Sequence, residues 1–142
     1  MKSKTYAIFT FILSVVMLAF GFAACQKGKA AATVKETTET RVVIKVGEAE
    51  GSATLLSVME ALQTDGKISF TLAGTMVSSI NGKENAADFS GCWMLYTSDA
   101  EMSNAEWGTL EYDGKTLGSA TLGADALTVV EDEIYVWEYQ TF

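Results

Sequence analysis

The sequence predicts an α+β domain, one amphipathic helix packed on a mostly antiparallel sheet. Three observations predict it. Short runs rich in β-branched and aromatic residues are cut by Gly, Asn-Gly and Asp-Gly turn signals. One segment of the chain beyond residue 40 carries apolar residues at helical spacing. The order is strand, helix, then several strands joined by short turns, which places a helix on an antiparallel sheet.

Arg41 to Val46 (RVVIKV) is the first strand and breaks at Gly47. Leu55, Leu56, Met59 and Leu62 then recur at helical spacing, with Glu60 and Gln63 off that face. Thr54 is the N-cap, its hydroxyl accepting from an otherwise unpaired backbone N–H, and Asp65-Gly66 ends the helix. Ile68 to Leu72 and Met76 to Ile80 are strands, and Asn81-Gly82 marks a two-residue hairpin because both positions tolerate positive φ. Cys92 to Tyr96 is a further strand. Thr97 to Gly108 is polar and acidic and reads as a long loop, with Ser98 and Glu101 spaced as the capping box of a short helical turn. Thr109 to Tyr112 and Thr116 to Leu117 flank Asp113-Gly114 as another hairpin, and Ile134 to Phe142 closes the chain as a strand. No period of about 20 to 50 residues repeats, so this is no solenoid.

The N-terminus has a different pattern. Lys2 and Lys4 precede Ala7 to Ala24, a charge-free stretch rich in Ile, Leu, Val and Phe. A basic segment followed by an apolar one is the pattern of a secretory signal peptide. It ends in Phe22-Ala23-Ala24-Cys25, which resembles a bacterial lipobox. That resemblance implies a diacylglycerol on the Cys25 thiol and cleavage before it. Each buried methylene contributes about 0.8 kcal/mol, so two or more acyl chains hold what one holds only reversibly. An ordinary cleaved signal and an uncleaved membrane helix are the alternatives. Residues 25–40 after the cut (QKGKAAATVKETTET beyond Cys25) are polar and read as a flexible tether with a reach of about 20 Å. The chain thus divides into a signal peptide over residues 1–24, a lipidated Cys25 with its tether over 25–40, and a domain over 41–142.

Composition excludes several chemistries. The 142 residues contain no histidine and two cysteines, so Ser-His-Asp and Cys-His nucleophile pairs and imidazole zinc sites are absent. Lys2 and Lys4 leave with the signal peptide, so 8 basic and 18 acidic side chains remain, a formal charge of −10. A nucleic-acid partner calls for a basic stripe, and this chain has the opposite sign. With Cys25 acylated, Cys92 has no partner for an internal disulfide.

The segments from Thr54 to Leu62, from Ile80 to Asn85 and from Trp93 to Tyr96 follow one another in order, with Gly123-Ala124-Asp125 and Val136-Trp137-Glu138-Tyr139 after them. Together they resemble the transcobalamin-like C-terminal domain family, found in bacterial surface lipoproteins and at the C-terminus of the cobalamin carriers transcobalamin and intrinsic factor. The resemblance spans residues 41–142. It implies a β-grasp-like fold and a surface binding module with no enzymatic activity attached. In the vitamin carriers this domain covers one face of cobalamin, which makes a corrinoid the ligand that the resemblance suggests. Between Tyr96 and Gly123 a long acidic insertion replaces the family's short turn.

Aromatic residues gather in the C-terminal half. In the last strand Tyr135, Trp137 and Tyr139 share one face, and Ile134, Val136 and Glu138 the other. The aromatic face reads as core under the helix; the alternative is a stacking platform. Trp107 sits in a polar stretch and is the contact candidate, a large apolar face with one N–H donor, unless it folds back over the core. Trp93, Tyr96 and Tyr112 complete the candidate ligand- or partner-binding set. Asp99, Glu101, Asn104 and Glu106 cluster oxygens but match no calcium loop and read as a solvated acidic face, so no metal or other cofactor is expected. Cys92 reads as a small buried hydrophobe rather than a nucleophile.

These readings converge on a non-catalytic binding module, lipid-anchored on the extracytoplasmic face of a bacterial cell membrane, that recognises a surface protein or small-molecule ligand through its C-terminal loops. The alternatives are a cobalamin-binding component of an uptake system and a carboxylate-dependent hydrolase.

Overall fold

The structure, a computed structural model, describes residues 28–142. The expected signal peptide and Cys25 lie outside the described residues. Among those described, no helix is long and apolar enough to cross a membrane.

The chain forms β1 (Lys29–Thr37), β2 (Arg41–Glu50), α1 (Leu55–Thr64), β3 (Phe70–Ala73), β4 (Met76–Ile80), β5 (Lys83–Glu84), β6 (Gly91–Thr97), β7 (Ser103–Tyr112), β8 (Lys115–Ala120) and β9 (Ile134–Thr141). A six-stranded sheet runs in the order β1-β2-β9-β6-β8-β7 and a smaller one in the order β3-β4-β5. Every pairing between these strands is antiparallel. The described chain is therefore α+β, with α1 its single α-helix.

Each face of the large sheet is covered. On one face, Val42, Ile44 and Val46 of β2, Trp93 and Leu95 of β6, and Tyr135 and Trp137 of β9 pack against Leu55, Val58, Met59 and Leu62 of α1 and against Phe70, Val77 and Ile80 of the small sheet. The aromatic face of the last strand is thus core at Tyr135 and Trp137, with Tyr139 half-buried against it. Truncating a buried leucine here costs about 2–5 kcal/mol, since the lost burial is compounded by a cavity. On the other face Val43, Tyr96, Ile134 and Val136 pack with Leu117 of β8, and Met94, Leu110 and Tyr112 border them. Only Tyr96 and Thr97 of β6 pair with β8, so the β7–β8 hairpin leaves the sheet plane and lays its apolar side on this second face.

Local physics sets the punctuation. The Thr54 hydroxyl accepts from the Ser57 N–H at 3.2 Å and caps α1. Past the Asp65 C-cap, Gly66 adopts φ +70 and the Lys67 N–H reaches the Leu62 carbonyl at 2.9 Å. Asn81-Gly82 and Asp113-Gly114 both place two successive residues at positive φ, the requirement of a tight hairpin turn.

Two expectations are corrected. The described part of the predicted tether is an edge strand: β1 pairs with β2 from Lys29↔Glu50 to Thr37↔Val42, with two register shifts. Ala30, Ala32 and Val34 turn inward onto the core, and Lys29, Ala31, Thr33, Lys35 and Thr37 turn out. Alanines on the inner face give a weak hydrophobic signal, and the neighbouring strand supplies the rest. The long loop expected over Thr97 to Gly108 is also shorter than its composition suggests. A 3-10 turn at Ala100–Met102 is capped by Asp99, whose carboxylate accepts from the Glu101 N–H at 3.0 Å, and β7 starts directly after it. Ser98 serves elsewhere: its hydroxyl donates to Glu133 and accepts from the Ile134 N–H, tying this turn to the start of β9.

Candidate functional site

The predicted contact residues separate into two roles. Trp93 lies on the helix-side face, where its Nε1–H donates to the Lys83 carbonyl at 2.8 Å and its backbone N–H donates to the Asn85 side chain at 2.9 Å. Its ring meets Tyr139 edge-on at 5.5 Å. Tyr96 is buried on the opposite face, its hydroxyl accepting from Gln140 at 2.8 Å. Burial pushes the Tyr96 phenol above its ordinary value. Tyr112 is half-buried against the second cluster. Trp93 and Tyr96 bind their own domain together and offer no free face, whereas Tyr112 keeps part of its surface exposed.

Trp107 is 62% exposed. It does not fold back as a lid. The β7–β8 register slips between Asn104 and Thr109, and the bulge is fixed by the Asn104 side chain accepting from the Glu106 N–H at 2.9 Å. Gly108 follows at φ +139 and faces the Tyr96 ring, where an added Cβ would come within 3.6 Å of the tyrosine oxygen. Burial along β7 then alternates, with Gly108, Leu110 and Tyr112 facing inward and Trp107, Thr109 and Glu111 outward. A bulge that re-aims a side chain is a common device at sheet edges near binding sites. Here it holds a tryptophan in solvent from a rigid strand.

The acidic cluster has a local explanation. Asp99 caps a turn and Asn104 fixes the bulge. Among the described residues no group of three or more His, Cys, Asp or Glu side chains is placed to hold a metal ion. Cys92 is half-buried with its sulfur 3.7 Å from the Met94 sulfur.

Sequence reasoning missed a second exposed ring. Phe89, 55% exposed, sits in the connection between β5 and β6 at φ +57. A bulky side chain in the left-handed region costs about 1–2 kcal/mol, so the surrounding turn must enforce it. It does so by hydrogen bonds: Phe89 N–H to Ala86 O at 2.9 Å, Ala86 N–H to Gly91 O at 2.7 Å, and both the N–H and hydroxyl of Ser90 to the Asp88 carboxylate. The Ser90 donors hold the Asp88 carboxyl below its ordinary value, hence charged. Beside the ring lies an open cleft of about 320 Å³ lined by Met76, Ser78, Glu84, Asn85, Ala87 and Phe89. The signal available in the sequence is one large ring inside Asn85-Ala86-Ala87-Asp88-Phe89-Ser90-Gly91, a stretch otherwise made of turn-forming and small residues.

Comparison with protein-family models, with curated proteins and with solved structures finds no match to this chain.

Proposed function

We propose that this protein is a non-catalytic binding module, lipid-anchored through Cys25 on the extracytoplasmic face of a bacterial membrane, and that it recognises a surface protein through its C-terminal hairpin. The observation that carries the reading is Trp107, a tryptophan exposed on the outer side of a bulged strand whose inner side is packed. Large rings held rigidly at the surface make strong contacts, because little side-chain freedom is lost on binding. The single helix laid on an antiparallel sheet supports the β-grasp-like reading of the fold.

The edge strand changes the geometry of anchoring. From Cys25 to the start of β1 at Lys29 are four residue steps, a reach of at most about 14 Å. The body then sits against the headgroups instead of about 20 Å above them.

Two measurements test the proposal. Mass spectrometry of the endogenous polypeptide reads a diacylglyceryl group on Cys25 with residues 1–24 gone; an unmodified cysteine overturns the anchor. Capture of surface proteins by the full chain and by Trp107→Ala tests the contact: the variant loses the partner while its unfolding midpoint holds. Retention of the partner by the variant overturns the role of the hairpin.

A further inference from the structure

We propose that the Phe89 turn and the cleft beside it form a second recognition site, which takes an arginine or lysine side chain from a basic segment of a partner protein. The site goes beyond the proposed function above and uses none of the Trp107 hairpin, so failure of one leaves the other standing.

Geometry and charge both favour this occupant. The cleft is open and small, about 320 Å³, at the lower end of the range that encloses a whole ligand. One long side chain suits it better. Phe89 offers an exposed ring face, and Met76, 47% exposed, offers an apolar wall for an aliphatic stem. Glu84 is among the residues that line the same cleft and brings a carboxylate to its neighbourhood. Among the described residues that carboxylate has no ion pair, because the adjacent Lys83 is turned away with its ammonium 4.3 Å over the Tyr139 ring. Asp88, adjacent to the ring in the chain, is charged. The Asp88 carboxylate is held by Ser90, so the occupant is a cation over the Phe89 ring with its head toward Glu84. A second copy of this chain fits poorly, since the segment beyond the signal peptide carries an excess of acids. The Phe89 ring stands outside the core and is exposed beside the cleft.

The test uses the full chain in zwitterionic detergent micelles and a fluorescein-labelled decapeptide of alternating arginine and serine, read by anisotropy. The same peptide with citrulline in place of arginine keeps the shape and removes the charge. The arginine peptide binds and the citrulline peptide does not. Phe89→Gly weakens binding about tenfold and Glu84→Gln about fivefold, while Phe89→Gly melts no lower than the parent because glycine relieves the strained backbone. Phe89→Gly leaves every charge in place, so undirected attraction to an acidic protein survives it. Unchanged binding by this variant overturns the proposal, as does equal binding of the citrulline peptide. Displacement of the peptide by free arginine amide at the peptide's own affinity overturns the protein-segment occupant in favour of a small organic cation.

Discussion

Trp93 and Trp137 are each 6% exposed and lie in the same core, yet their indole N–H groups fare differently. Trp93 donates to the Lys83 carbonyl and so pins the short β5 strand to β6. Among the described residues, Trp137 Nε1 has no hydrogen-bond partner. Leaving a buried donor unmade costs about 1–3 kcal/mol, so removing one that is already unmade recovers part of the packing loss. Trp93→Phe is therefore expected to destabilise by about 1–2 kcal/mol more than Trp137→Phe, measured by chemical denaturation of both variants. Equal losses would show that volume alone decides both sites. The same scale marks what the sequence hides. Alternation assigns Tyr135 and Trp137 to one face of the last strand, but it says nothing of hydrogen-bond partners, and no propensity announces a phenylalanine at positive φ.

At the scale of elements, α1 and the two Xaa-Gly hairpin turns are legible because local chemistry decides them: a hydroxyl at the N-cap, apolar residues at helical spacing, and residue pairs that tolerate positive φ. β1 is not legible, because Ala30, Ala32 and Val34 gain their meaning only when β2 lies alongside. The first half of β7 is hidden for another reason. Its bulge breaks the two-residue period, so Ser103 to Gly108 reads as polar loop although Trp107 stands on a strand. Hydrogen exchange separates strand from tether directly. The β1 amides that bond to β2 are expected to be protected well above a free peptide, though less than those of β2 and β9 at the centre of the sheet. Exchange of residues 29–37 at free-peptide rates would return this segment to a tether.

For the whole molecule, the two faces of the large sheet share one response to alkali. Tyr135, buried among the helix-side residues, has its phenol raised above the ordinary value of 10.0 first by burial. Tyr96 is raised on the opposite face for the same first cause. The unfolded chain therefore releases these protons at lower pH than the native one, and the stability they contribute is full below about pH 10 and lost as pH rises through the native values. Thermal midpoints are expected to fall between about pH 9 and about pH 11, and to fall less in Tyr96→Phe. A midpoint drop of the same size in that variant would assign the effect to other groups. The proposed anchoring would give the architecture a mechanical sense. β1 enters at Lys29 opposite Glu50, whereas the Phe89 turn lies by Gly91 and Thr141, beyond the other end of β2. That places the two points about 30 Å or more apart along the strands. On the proposed anchoring, tension between a bilayer at one end and a partner at the other would run parallel to β1, so the bonds joining β1 to β2 would slide against the load side by side, as in a lap joint. They are not peeled one at a time, so a body loaded at these two ends resists the pull along the full length of β1.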